Sequence, residues 1–236
     1  MPYRELNSDK ILSTIGKLET RIEERFPGSS LAKVCCELGE AGKGITADAE
    51  QLREPIWWVW SLVAAMVAAA GFVFFWVGTV VDFEQLATTP LRNVQGIEAA
   101  LNTLIIAGVG LITVLSLENR LKRRRAIRAL SPLRSITHVI DMHQLTKDPS
   151  AVSSGTEPTA ASPKRNLTPG ELMRYLDYCS EMLALTGKLA ALYAQSVDDI
   201  EVVKAVNDTE MLTTNLSRKI WQKIMMIHPS TSVPRP

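Results

Sequence analysis

A single stretch limits what this chain can become. Ile56 to Val81, IWWVWSLVAAMVAAAGFVFFWVGTVV, contains no ionisable side chain. As a helix rising about 1.5 Å per residue it would be about 39 Å long, against about 30 Å for the hydrocarbon core of a bilayer. It is long enough to cross a membrane with tilt. Its aromatic residues agree: Trp58 and Trp76 would stand about 27 Å apart along the axis. Trp57, Trp60 and Phe75 widen the two ends into the aromatic belts expected at headgroup level.

A second candidate span, Ala99 to Leu117, is also free of charge and would be about 28 Å long as a helix. Between the two lies a connector, Asp82 to Glu98, holding Asp82, Glu84 and Glu98 against Arg92 alone. After the second comes ENRLKRRRAIRALSPLR, with Arg120, Lys122, Arg123, Arg124, Arg125, Arg128 and Arg134. The formal net charge of +1 over 236 residues conceals this asymmetry. Positively charged flanks stay cytoplasmic, so the expected topology puts the connector outside and both termini in the cytosol of a bacterial-type inner membrane. No cationic, apolar and small-residue sequence marks a cleaved signal at the N-terminus, so the first span is expected to act as the insertion signal.

Small residues recur at helical spacing on both spans: Ala64, Ala68 and Gly71 on the first, Ala107 and Gly110 on the second. Lipid tails give helices no hydrophobic reason to associate, so close approach through such residues is the main attraction available. The two helices are expected to pack on each other and leave small faces for a second copy, making a homo-oligomer. Neither span carries Asp, Glu, Lys, Arg or His, the groups that carriers and proton relays place at membrane depth. A pore would need several copies, lined by Asn102, Thr103, Thr113 and Ser116, with Asp82 and Glu84 at an outer mouth. The basic run reads first as a topology signal. Lys122, Arg123, Arg124, Arg125 and Arg128 also suit the headgroups of anionic lipid. Without interleaved aromatics they do not point to nucleic acid.

The flanking arms read as helices. Ile11, Ile15, Leu18, Ile22 and Phe26 share one face of a helix that Ser8 or Asp9 could cap and Pro27-Gly28 would end. Leu31, Val34, Cys35, Leu38, Ala41 and Ile45 continue at helical spacing, predicting a helical hairpin. GEAGKGIT, 39–46, has glycines, a lysine and a threonine but not the spacing of a phosphate-binding loop, nor a strand before it. The plainer expectation is a loosened helix end before Pro55.

Beyond the basic run, Ser131-Pro132 predicts a new helix with Leu133, Ile136, Val139 and Ile140 on one face. His138 and Asp141 would share a face there and His143 would not, so no local three-ligand metal site is expected. Residues 149–166, rich in Ser, Thr, Ala and Pro, read as a linker. Thr168-Pro169-Gly170-Glu171 is a capping box that opens a helix to about Gln195. Its expected inward set is Leu172, Leu176, Cys179, Leu183, Leu189 and Ala190, widened by Tyr175, Tyr178, Leu185 and Leu192. A second long helix carries Ile200, Val203, Val206, Leu212, Leu216, Ile220, Ile224 and Ile227, and the short turn makes the pair antiparallel. Their wide apolar faces need further helices, which the N-terminal hairpin can supply. Cys35, Cys36 and Cys179 form no disulfide framework and are expected to be reduced, buried thiols.

The fold class that follows is all-α: a two-span transmembrane hairpin with a cytosolic bundle built from the N- and C-terminal arms. Its parts are 1–54 (helical hairpin), 55–81 (first span), 82–98 (connector), 99–117 (second span), 118–148 (basic and amphipathic helices), 149–166 (linker), 167–229 (C-terminal hairpin) and 230–236 (tail). No nucleophile stands with a base at fixed spacing, so neither catalysis nor a cofactor is expected. The expected role is a self-associating, membrane-anchored interaction module with the lipid bilayer, a second copy and a cytosolic protein as partners. Two spans around a short outer connector with cytosolic flanking helices also resemble, in layout, the two-span effector domains of bacterial conflict systems. That resemblance implies the alternative, an oligomeric membrane-permeabilising effector gated by its cytosolic helices.

Overall fold

A computed structural model of the chain describes residues 5–80, 90–147 and 167–227. Every described element is an α-helix: α1 (Ser8–Arg25), α2 (Ser30–Arg53), α3 (Trp57–Val80), α4 (Pro90–Leu145), α5 (Pro169–Ser196) and α6 (Ile200–Ile227). They fall into two compact units, Met1–Arg53 with Arg125–Pro236, and Glu54–Arg124. The expected linker 149–166, the tail 230–236, Asp82, Glu84 and most of the connector lie outside the described residues.

In the first unit α5 is the central helix, touching α1, α2 and α6. All ten residues expected to face inward on it are buried, from Leu172 and Tyr175 to Leu189 and Leu192. They meet Ile15, Leu18 and Ile22 of α1 and Leu31, Cys35 and Leu38 of α2 in one apolar cluster. Burying each such aliphatic side chain contributes about 1.5–3 kcal/mol, which propensity alone could not supply. The expected capping box is present: the Thr168 hydroxyl accepts from Glu171 N–H, and the Glu171 carboxylate accepts from Thr168 N–H at 2.8 Å.

Helix α1 starts one residue earlier than its expected caps, because the Asn7 side-chain carbonyl accepts from Lys10 N–H at 2.9 Å. At the turn into α2, Gly28 takes φ +67°, a left-handed conformation that side chains with a Cβ rarely adopt. Helix α2 does not loosen at its glycines but runs unbroken to Arg53. A Cβ on Gly42 would lie 3.0 Å from Leu12 Cδ2 and 3.4 Å from Leu189 Cδ1, so this glycine serves close packing of three helices. The backbone of 39–46 is helical and forms no phosphate cradle.

Two further expectations are corrected. No helix starts at Ser131-Pro132, since α4 continues through Pro132. The buried series Ala126, Leu130, Leu133, Thr137, Ile140 runs in steps of four and three across the proline, and this packing holds the helix together. On α6, Ile200 is 85% and Val203 38% exposed, while Val202 is buried. The inward face runs through Thr209 and Thr213, whose hydroxyls donate to the Ala205 and Glu210 carbonyls of their own helix at 2.9 and 3.0 Å. Threonines that satisfy themselves in this way can be buried, and a reading that seeks only apolar residues misses them.

Candidate functional site

In the unit Glu54–Arg124, α3 is assembled almost wholly from apolar residues, and α4 is predominantly apolar and free of charge from Ala99 to Leu117. Both are long and apolar enough to cross a membrane, and only 6% and 0% of their most apolar windows is buried. The core helix of a soluble domain would hide such a surface instead of presenting Phe72, Phe74, Leu104 and Ile106 outward. The two helices touch where Met66 Cε lies 3.1 Å from the position a Cβ would take on Gly110.

The polar focus of this unit is the Glu118 carboxylate. Its Oε1 accepts from the Ile56 backbone N–H at 3.2 Å and from Lys122 Nζ at 2.9 Å, and its Oε2 accepts from the Trp60 indole N–H at 3.1 Å. Ile56 N–H, ahead of α3, is one of the donors that a helix start leaves without an intrahelical partner, and Glu118 supplies an acceptor from the other helix. Glu118 and Lys122 are each 15% exposed, so this pair is better shielded than an ordinary surface ion pair. In the sequence Glu118 does not stand out, because a single acid before a basic run reads as part of the flank. The signal available was its i, i+4 spacing to Lys122.

The residues expected to bind headgroups divide. Lys122 is engaged by Glu118, Arg123 is half-buried, and Arg124 and Arg128 are exposed. Arg125 donates to Asp48 Oδ1 at 2.5 Å and to Gln51 Oε1 at 2.6 Å, clamping α4 to the last turns of α2 within the helical unit. Of the small residues expected at helix contacts, Gly110 is half-buried against Met66, while Ala64, Ala68, Gly71 and Ala107 are exposed.

The first unit holds a further polar cluster. His143 Nδ1 lies 3.2 Å from the Tyr175 hydroxyl and 3.5 Å from Ser30 Oγ, and Lys147 Nζ stands 5.1 Å from the Tyr175 ring centroid. Burial, with the nearby Lys147, holds the imidazole below its ordinary pKa. His138 is exposed and Asp141 accepts from Gln144, and among the described residues no group of three His, Cys, Asp or Glu side chains is placed to hold a metal ion. Among the thiols, Cys35 and Cys179 are buried but Cys36 is exposed, which corrects the expectation of three buried cysteines. No protein-family model, curated protein or solved structure matches this chain.

Proposed function

We propose that the chain is a non-enzymatic, self-associating interaction module that two helices anchor in a membrane, presenting its helical unit at the cytosolic face. The observation that carries this reading is the pairing of exposed, largely apolar surfaces on α3 and α4 with a second, well-packed helical unit. Apolar surface of that extent is stable in water only when covered, and a bilayer covers it without a protein partner. The excess of Arg and Lys after the second span supports cytosolic termini. Arg124 and Arg128, exposed and uninvolved in the Glu118 and Arg125 contacts, are the side chains best suited to anionic headgroups. A bacterial inner membrane is the setting that fits this charge distribution.

The test takes the full chain with Cys36→Ser and Thr88→Cys, expressed in cells. The expected result is a protein that resists alkaline extraction of membranes, is labelled at position 88 only from outside, and migrates as more than a monomer in mild detergent. Release into the aqueous phase would overturn the anchor, and labelling only from inside would overturn the topology. Liposomes containing the protein should stay sealed, whereas steady ion flux would favour the permeabilising alternative.

A further inference from the structure

Among the described residues, the large exposed apolar residues of the helical unit lie on α4 and α6, and four of the six on α6 fall on one outward stripe. Ile200, Met211, Trp221 and Met225 are each more than half exposed, at 85%, 63%, 55% and 64%. Between them stand Lys204, Asn207, Thr214 and Arg218, all exposed, so the whole stripe advances in alternating steps of four and three. That is the spacing of a helix that packs lengthwise on another helix, and it is separate from the buried face that α6 presents to α5. We propose that this stripe is where two copies of the chain meet, α6 lying antiparallel on its equivalent; the proposal rests on the self-associating reading above and locates its surface.

The pattern is self-complementary in one direction only. The register that sets Ile200 against Met225 also sets Lys204 over the face of Trp221, Asn207 beside Arg218 and Met211 beside Thr214. Each apolar end meets an apolar end, and a cation meets an indole ring. The first half of α6 exposes the acids Glu201 and Asp208 with the single base Lys204, and the second half exposes the bases Arg218 and Lys219. Antiparallel pairing brings opposite charges together, and opposed helix dipoles agree with it. Parallel pairing would stack Arg218 on Arg218 and Lys204 on Lys204. An anionic lipid surface would repel Glu201 and Asp208 along the same face. Residues 148–166 and 228–236 contain one large aliphatic residue each, Val152 and Val233.

Disulfide trapping of the full chain in detergent decides the matter. Ile200→Cys and Met225→Cys are made separately, each with Cys36→Ser. In an antiparallel pair, equivalent residues at either end lie about 37 Å apart, too far to bridge, whereas position 200 of one copy faces 225 of the other. Oxidation of the mixed proteins is expected to give a disulfide-linked dimer, and oxidation of either alone is not. Self-linking by either single variant overturns the antiparallel arrangement. Met211→Glu, at an exposed position, is expected to weaken association about tenfold or more with helicity unchanged. A wild-type oligomer whose mass Met211→Glu leaves intact at every dilution overturns the α6 interface but not self-association. A monomeric wild-type protein overturns both.

Discussion

The indole N–H of Trp60 on α3 donates to the Glu118 carboxylate on α4 at 3.1 Å, joining two predominantly apolar helices. The same carboxylate accepts from Ile56 N–H and Lys122. Removing it leaves several donors without a partner in a partly shielded place. Glu118→Ala is therefore expected to lower stability by about 1–3 kcal/mol. Denaturation in detergent followed by tryptophan emission measures this, and Glu118→Gln should lose less because its amide oxygen still accepts. Wild-type stability in both variants would mean that these bonds do not hold the helices together.

Neighbouring positions at the start of α6 separate the structure from the apolar pattern. Val202 is fully buried and Ile200 is exposed. Val202→Ala removes two buried carbon groups at about 0.8 kcal/mol each and adds a small cavity. Ile200→Ala is expected to change the stability of the helical unit by less than about 0.5 kcal/mol when measured at low protein concentration. The opposite ranking would show that α6 is rotated about its axis.

Pro132 is a cost that α4 carries. The ring removes one backbone donor and crowds the carbonyl of Arg128, worth about 3 kcal/mol in a regular helix interior. Because Pro132 is exposed and its neighbours Leu130 and Leu133 are buried, Pro132→Ala should restore the bond without disturbing the core. An increase of about 1–3 kcal/mol in unfolding free energy is expected. A loss instead would mean that the packing of α4 needs the ring of Pro132 itself.

The thiols give a prediction in pH. Burial pushes Cys35 and Cys179 up to about 12, from an ordinary value of 9.0. A group whose neutral form the fold favours contributes stability that is fully present below about pH 9. That contribution is lost as pH rises toward about 12, because the unfolded chain releases the protons first. Stability should therefore fall steadily over this alkaline range, and the fall should be smaller in Cys179→Ala than in wild type, whatever the baseline stability of that variant. At pH 8 a maleimide should modify Cys36 alone, and rapid modification of Cys179 in folded protein would contradict its burial.

Much of this architecture was legible because the signals are local. Two long apolar runs, the 3.6-residue periodicity of α1, α2 and α5, and the Thr168–Glu171 capping box each depend on residues within a few turns of one another. The expected loosening of the helix end at Gly39 to Thr46 failed because glycine can loosen a helix but also permits close packing, and at Gly42 Leu12 and Leu189 take up that space. The candidate site was less legible, since Glu118 and Ile56 are far apart in sequence and neither belongs to a motif.

The residues by themselves determined that the chain is helical and that two of its helices are too apolar to be left in water, since hydropathy and periodicity are properties of the covalent order. Only the tertiary structure decided which side of α6 turns inward, why α4 survives its proline and where the Glu118 carboxylate finds its donors. Those outcomes depend on what the neighbouring helices offer: buried threonines that bond to their own backbone, a packed stripe on both sides of a missing hydrogen bond, and an indole one helix away.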